Sequence, residues 1–212
     1  MRGLGIALFA LGVLGAGVAV NGTRRSATPQ TAETPVVAMR SDGVRIRFPA
    51  DRLPHLVDAA GRERPIRSLL DIERPLRFGE YRWNDANVPA GDTWVRVDLA
   101  RQTLSVFRAG HEIGVAIILY GTDGKPTPTG TFPILAKAVQ HRSSLYDAEM
   151  PYMLRLTGDG VAIHASAVRH GSATHGCIGV PEPFAARLFE ATKRGDPVSI
   201  LPPDAGPSQQ HT

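Results

Sequence analysis

Trp94-Val95-Arg96-Val97-Asp98-Leu99, followed after Ala100-Arg101-Gln102 by Thr103-Leu104-Ser105-Val106-Phe107, sets the reading of the fold. Apolar and polar side chains alternate with a period of two, which puts one set on the core face of a strand and the other on the opposite face. Two such runs around a short polar turn predict a hairpin. A second turn at Ala109-Gly110 leads into Ile113 to Tyr120, whose Val115-Ala116-Ile117-Ile118-Leu119 run is apolar on both faces, as in a central strand. The expectation is a meander within a mostly β domain.

Downstream, Gly121 to Gly130 carries Pro126, Pro128 and glycines and reads as a loop, after which Thr131-Phe132-Pro133-Ile134-Leu135 resumes strand character. Tyr152 to Leu156 and Val161-Ala162-Ile163-His164 flank a Gly158-Asp159-Gly160 turn and predict two more strands, with His164 at a strand end. Tyr152 reads as core rather than as part of a site. One helix is expected over Pro181 to Arg194, where Phe184, Leu188 and Ala191 recur at helical spacing and Ala185 widens their face. Pro181 and Glu182 suit its first turn, Lys193 and Arg194 its last, and Gly195 the left-handed position beyond. Pro197-Val198-Ser199-Ile200-Leu201 predicts a final strand.

Upstream, Val44-Arg45-Ile46-Arg47-Phe48 alternates apolar with basic residues and suits a short half-buried strand. Residues 43–91, Pro-interrupted and charged, are expected to form a subsidiary segment packing on a core domain over 92–202. Residues 21–42, rich in Thr, Ala and Pro, read as a flexible tether. Residues 1–20 carry Arg2 ahead of the uncharged, apolar Gly3 to Val20, the pattern of an export signal or an N-terminal membrane anchor, and so of membrane association. A polar tail over 203–212 is expected to be disordered.

At 212 residues and 42% apolar, the chain suits one sizeable domain with appendages. Its formal charge of +4 is spread without a basic run, so no nucleic-acid partner is expected. A single cysteine excludes an internal disulfide, and in an exported protein a leftover thiol points to reactivity or intermolecular pairing. That residue is Cys177, in Thr174-His175-Gly176-Cys177-Ile178. A lone cysteine is by default a small buried hydrophobe, but a glycine that admits close approach and a polar His175 favour a nucleophile. With its pKa near ~8.5, such a thiol needs a base or a positive field to become thiolate.

Gly124-Lys125-Pro126-Thr127-Pro128-Thr129-Gly130-Thr131-Phe132, then Ile163-His164, then Thr174-His175-Gly176-Cys177-Ile178 resemble the L,D-transpeptidase catalytic domain, the YkuD-like family, over roughly Trp94 to Leu201. The resemblance implies a β-sandwich or mixed sheet with one helix after the cysteine motif, located in the periplasm or cell envelope. It implies peptidoglycan stem peptides as partners. In that family the cysteine attacks the carbonyl of the third, L-configured centre of a tetrapeptide stem, expels the terminal D-alanine and passes the acyl group to an amine. Acylation by carbapenem-type β-lactams is implied as well.

Cys177 is then the nucleophile and His164, thirteen positions earlier, its base. His175 would share a face with Cys177 in an extended run and bind substrate or strengthen the local positive field. The backbone N–H groups of Gly176 and Cys177 are the expected oxyanion donors. Thr174 and Ser166 are expected to orient the histidines or meet substrate. Gly179 stands where the family usually has Arg, and Ala165 where it commonly has Gly; Arg169 is the candidate replacement cation. The segment Ala165 to Ala173 looks short.

Two other activities fit: a hydrolase of the same fold acting as an L,D-carboxypeptidase or trimming cross-links, and a catalytically weak wall-binding module. His170 and His175 have ligand-pair spacing, but the lone Cys177 leaves no C-x-x-C partner, so neither a metal nor a cofactor is expected. Gly121 to Gly130 lacks the G-K-[ST] ending of a phosphate loop.

Overall fold

The computed structural model describes residues 40–41, 44–122, 124–143 and 147–203. The expected leader over 1–20, the tether over 21–42 apart from Arg40 and Ser41, and the tail after Pro203 lie outside them. Along the chain come β1 Arg40–Ser41, β2 Arg45–Arg47, β3 His55–Val57, β4 Glu63–Pro65, β5 Ser68–Leu70, β6 Tyr81–Trp83, β7 Thr93–Asp98 and β8 Thr103–Arg108. There follow β9 His111–Ile117, β10 Gly130–Pro133, β11 Ala136–Ala138, β12 Met153–Arg155, β13 Ala162–Ala165, β14 Ile178–Val180, α1 Glu182–Ala191 and β15 Pro197–Leu201. The architecture is mostly β, with mixed sheets and one helix after the cysteine motif.

The strands form a nine-stranded sheet in the order β1-β2-β5-β9-β8-β7-β15-β10 with β6 also on β9, a four-stranded sheet β11-β12-β13-β14, and the pair β3-β4. The expected meander is its centre: β7 pairs antiparallel with β8 from Thr93↔Arg108 to Asp98↔Thr103, and β8 with β9. Ala109 and Gly110 turn with φ of 49° and 81°, the positive pair that a tight two-residue hairpin requires. Glu112 to Ala116 are buried on both faces of β9. The last strand, β15, returns parallel to β7 and antiparallel to β10, which leaves β10 at that edge of the sheet. Between the sheets, Val97, Val106, Ile113, Ile163, Ile178, Phe184 and Leu188 belong to one buried cluster, so the helix and both sheets share a core.

Three local features differ from the sequence pattern. In β2 the phase is inverted: Arg45 is buried while Val44 is exposed, because the Arg45 guanidinium donates to Ser68 Oγ, the Glu112 carbonyl and the Asn84 carbonyl. Hydrogen bonding inside the sheet outweighs hydropathy there. The helix ends at Ala191, with Thr192 extended and no basic residue in the last turn. Its C-terminal carbonyls are served instead by Lys137 of β11, whose ammonium bonds the Phe189 and Thr192 carbonyls, while Lys193 pairs with Asp196 at 2.8 Å. Finally, residues 43–91 supply β2, β5 and β6 to the nine-stranded sheet, and the end of the expected tether, Arg40–Ser41, pairs with β2. No described helix is long and apolar enough to cross a membrane.

Candidate active site

The four-stranded sheet positions the thiol. β13 and β14 run parallel with Ile163↔Ile178 and His164↔Gly179 in register. Ile163, Ile178 and Val180 are buried in the shared core. By alternation, Ala162, His164 and Cys177 face the other side of the sheet. On that side Ala136, Arg155 and Ala162 are in register across β11, β12 and β13, so Cys177, one residue before β14, continues the same row. Small side chains at Ala136, Ala138 and Ala162 leave room above the sheet. A cavity of about 460 Å³ opens there, and its wall includes Cys177, His175, Lys125, Arg155, His141 and Asp159. Cavities of about 530 and 540 Å³ elsewhere contain no cysteine.

Cys177 is half-buried, packed with Met150, Met153 and Ala162. Its Sγ donates a long hydrogen bond to the Gly160 carbonyl at 3.9 Å. Burial pushes the thiol above the ordinary cysteine range; the Ala162 backbone amide pulls it partly back, and the Asp159 carboxylate pushes it up again. The resting group at neutral pH is therefore the thiol.

His164 lies, by the same alternation, on the thiol's face of the sheet and is not among the residues that line the cavity. Its Nδ1–H donates to the Ala165 carbonyl at 2.8 Å, which leaves Nε2 with the free lone pair. Burial lowers its pKa, the bond to the Ala165 carbonyl raises it, and His141 lowers it. The ring is thus neutral and able to take a proton. Among the described residues no hydrogen bond joins Sγ to His164, a departure from the direct thiol–imidazole contact expected of a base beside its nucleophile.

The other expected residues divide. His175 is exposed and shares the cavity with Cys177, although the run is not extended: Gly176 adopts φ of +100°, a conformation that favours glycine, and bends the chain. Thr174 does not orient a histidine; its hydroxyl donates to the Cys177 carbonyl and its N–H to the Tyr120 carbonyl, both holding that bend. Ser166 packs against Gly179, where an added Cβ would stand 2.8 Å from Ser166 Cβ. No side chain, cationic or other, fits at Gly179 without displacing Ser166. Arg169 is exposed and outside the thiol's cavity, and His170 sets its ring edge-on to Phe78 at 5.3 Å. Tyr152 packs on the core, edge-on to Phe189.

Sequence reasoning missed Thr127, Arg155, Lys125, Asp159 and His141. Thr127 is 5% exposed; its Oγ1 accepts the Gly121 N–H at 2.9 Å and donates to the Gly176 carbonyl at 3.0 Å. Through it the proline loop holds the bend before the nucleophile. The approach is tight: a Cβ on Gly121 would fall 2.1 Å from the Lys125 carbonyl oxygen and 2.9 Å from Gly176 Cα. A lone hydroxyl between Pro126 and Pro128 was the available signal for Thr127. For Arg155 it was the polar position in the Tyr152 to Leu156 alternation.

Residues 92–200 match the family model for the L,D-transpeptidase catalytic domain. L,D-transpeptidase 1 of Mycobacterium tuberculosis is 26% identical over 129 residues, which cover 52% of this chain and 51% of that protein. The chain spans about half the length of the curated relatives it matches. The crystal structure of an L,D-transpeptidase from Stackebrandtia nassauensis aligns with a TM-score of 0.50 and 25% identity, covering 54% of this chain and 57% of that one. With its family match spanning more than half of the sequence and holding the loop, the upstream histidine and the thiol, this chain belongs to the L,D-transpeptidase catalytic domain family.

Proposed function

We propose that the protein is a cysteine acyltransferase of the cell envelope that cuts and rejoins peptidoglycan stem peptides. The observation that carries this reading is the lone half-buried thiol in the wall of an open cavity, on the sheet face that also bears a neutral histidine. Substrate entry turns Sγ from the Gly160 carbonyl toward His164, whose Nε2 takes the thiol proton as sulfur attacks the third-residue carbonyl. The oxyanion meets the N–H groups of Gly176 and Cys177 at the bend. Collapse breaks the peptide bond, His164 returns the proton to the departing D-alanine amine, and a thioester remains on Cys177. An acceptor amine then attacks the thioester, forming a new amide and restoring the thiol. His175, exposed at the cavity mouth, contacts substrate. Thr174 and Thr127 hold the bend.

Export follows from the same substrate and from the leader-like residues 1–20, which would tether the domain near a membrane if retained. The test is a tetrapeptide stem with an excess of amine acceptor. The expected result is an acyl adduct in the intact mass, absent from Cys177→Ala, together with released D-alanine and an amide product. Free tripeptide as the sole acyl product would make the protein a carboxypeptidase of the same fold. No adduct from any stem peptide, and none from a carbapenem, would leave a wall-binding module.

A further inference from the structure

Beyond β11 and β12 the two chains stay paired: the Tyr152 N–H donates to the Val139 carbonyl at 2.8 Å, the Met150 N–H to the His141 carbonyl at 2.7 Å and the Ser143 N–H to the Ala148 carbonyl at 2.9 Å. This ribbon puts His141 directly across from Met150, with both side chains on one face. Met150 and Met153, three residues apart, would face opposite sides of an unbroken strand. Tyr152, with φ of 55°, breaks the alternation, and His141, Ser143 and Met150 line the thiol's cavity together with Met153. Arg142 and Glu149 take the other face, where the Arg142 guanidinium bonds Asp147 at 2.7 Å and Glu149 at 2.6 Å and ties the ribbon together. Two anchors hold His141 near the reacting groups. Met150 belongs to the buried cluster on which Cys177 packs. One residue on, the Pro151 carbonyl accepts the Ala165 N–H at 2.9 Å, and it is the Ala165 carbonyl that holds the His164 ring. The charge of His141 is accordingly felt at His164. The His141 imidazole is exposed, and among the described residues no hydrogen bond or ion pair occupies it.

The second half of acyl transfer moves a proton that the first half does not touch. Once D-alanine has left with the thiol's proton, the incoming amine must lose one of its own as it becomes an amide. Attack places the amine nitrogen ~3–3.5 Å from the thioester carbon. Its proton acceptor belongs another ~3 Å beyond. An acceptor for this step therefore stands off the sulfur, in the wall of the cavity the amine enters, and His164 does not line that wall. Lysine and arginine side chains arrive with their protons, whereas imidazole exchanges one near neutral pH. His175, the other imidazole in the wall, is carried by the run that holds the sulfur, while His141 comes from a separate element. We infer that His141 is the proton acceptor for the incoming amine, while His164 serves the thiol in the first step. This rests on the acyl transfer proposed above. The amine nitrogen bonds to the acyl carbon and gives its proton to His141. The C–S bond breaks with its electron pair on sulfur, and the imidazolium then returns the proton to Sγ, leaving amide, thiol and neutral histidine.

The test uses the full chain, loads Cys177 with a tetrapeptide stem, and reads the decay of the adduct by intact mass after addition of either glycinamide or 2-mercaptoethanol. Glycinamide must shed a proton as it attacks, whereas the thiol attacks as thiolate and needs no base from the protein. His141→Gln is expected to slow the glycinamide reaction by about 10²-fold, the lower end of what a positioned base supplies, and the 2-mercaptoethanol reaction far less. His141→Ala should regain part of the glycinamide rate when imidazole is added, a recovery that a purely structural role would not produce. Equal slowing of both nucleophiles, or a glycinamide rate within about twofold of wild type in both variants, would overturn the assignment while leaving acyl transfer intact. The same result follows if His175→Gln alone shows the selective loss with glycinamide. If the wild type forms no adduct with the stem, the acyltransferase reading falls and the role of His141 with it.

Discussion

Two clusters of charge in this chain use the same side-chain chemistry to opposite ends. In the nine-stranded sheet, Arg45 is 2% exposed and bonded to Ser68, Asn84 and Glu112, and the Glu112 carboxylate, also buried, accepts the Leu70 N–H at 2.9 Å. Ser68 also meets His111 Nδ1 at 2.8 Å. These bonds cross β2, β5 and β9, so the charges fix strand register. Around the thiol, Arg155 of β12 and Lys125 of the proline loop line the cavity without an ion pair among the described residues. A saturated polar network holds a fold, whereas unsaturated donors around a cavity remain available to a ligand.

The largest effect should separate the two clusters outright. Cys177→Ala is expected to lower acyl transfer by at least about 10³-fold, as loss of a nucleophile does elsewhere, with the thermal midpoint nearly unchanged. Arg45→Met should do the reverse, lowering stability by about 3 kcal/mol because it strips hydrogen bonds from buried partners. Activity per folded molecule would stay near wild type. Arg155→Gln, on an exposed side chain, should move stability by no more than about 0.5 kcal/mol. Denaturant unfolding of the three variants checks this. An Arg155 variant as unstable as the Arg45 variant would make the cavity charges structural and erase the contrast.

The same contrast marks what could be read from the residues alone. The meander was legible because Trp94 to Leu119 buries apolar side chains at strand spacing, and local periodicity carries that information. β2 was expected as a strand but its buried face was not, because that face is carried by an arginine whose partners lie up to 67 residues away in sequence, and β5 and β6 gave no such local pattern. The helix start followed its proline, but the helix end was set by Lys137 from another strand. At the site, Cys177 and His175 stood out as chemistry-bearing residues within one short motif, and His164 in another thirteen positions before the thiol. Arg155 did not, since its place beside the thiol depends on the register of three strands. Thr174 and Ser166 kept their positions near the motif but act on backbone and glycine rather than on imidazole.

Thr127 gives a smaller, intermediate case: a buried polar side chain that is fully satisfied, yet inside the site. Thr127→Val preserves shape and leaves the Gly121 N–H and the Gly176 carbonyl without this partner, for an expected cost of about 1–3 kcal/mol. Because those bonds hold the bend before Cys177, adduct formation should fall as well, and Thr127→Ser should restore both stability and rate. A variant that loses stability but keeps its rate would place Thr127 with the Arg45 network instead.

The smallest effect tests whether the cavity cations act on the sulfur or wait for a ligand. Burial is the main reason the thiol lies above its usual range, and the one charged side chain felt there is Asp159, which raises it further. Thiolate should therefore be scarce at neutral pH, and the rate of iodoacetamide labelling should keep rising beyond the ordinary midpoint near ~8.5. Asp159→Asn removes a nearby negative charge and so favours thiolate. Labelling at pH 8 should quicken by about twofold to threefold at low salt and by less at high salt, because the carboxylate is exposed and screened. A wild-type midpoint below ~8.5 would mean that Lys125 and Arg155 already stabilise the thiolate in the resting protein. Their charge would then serve the nucleophile directly, and the division between charges that hold the fold and charges kept for substrate would have to be redrawn around the sulfur.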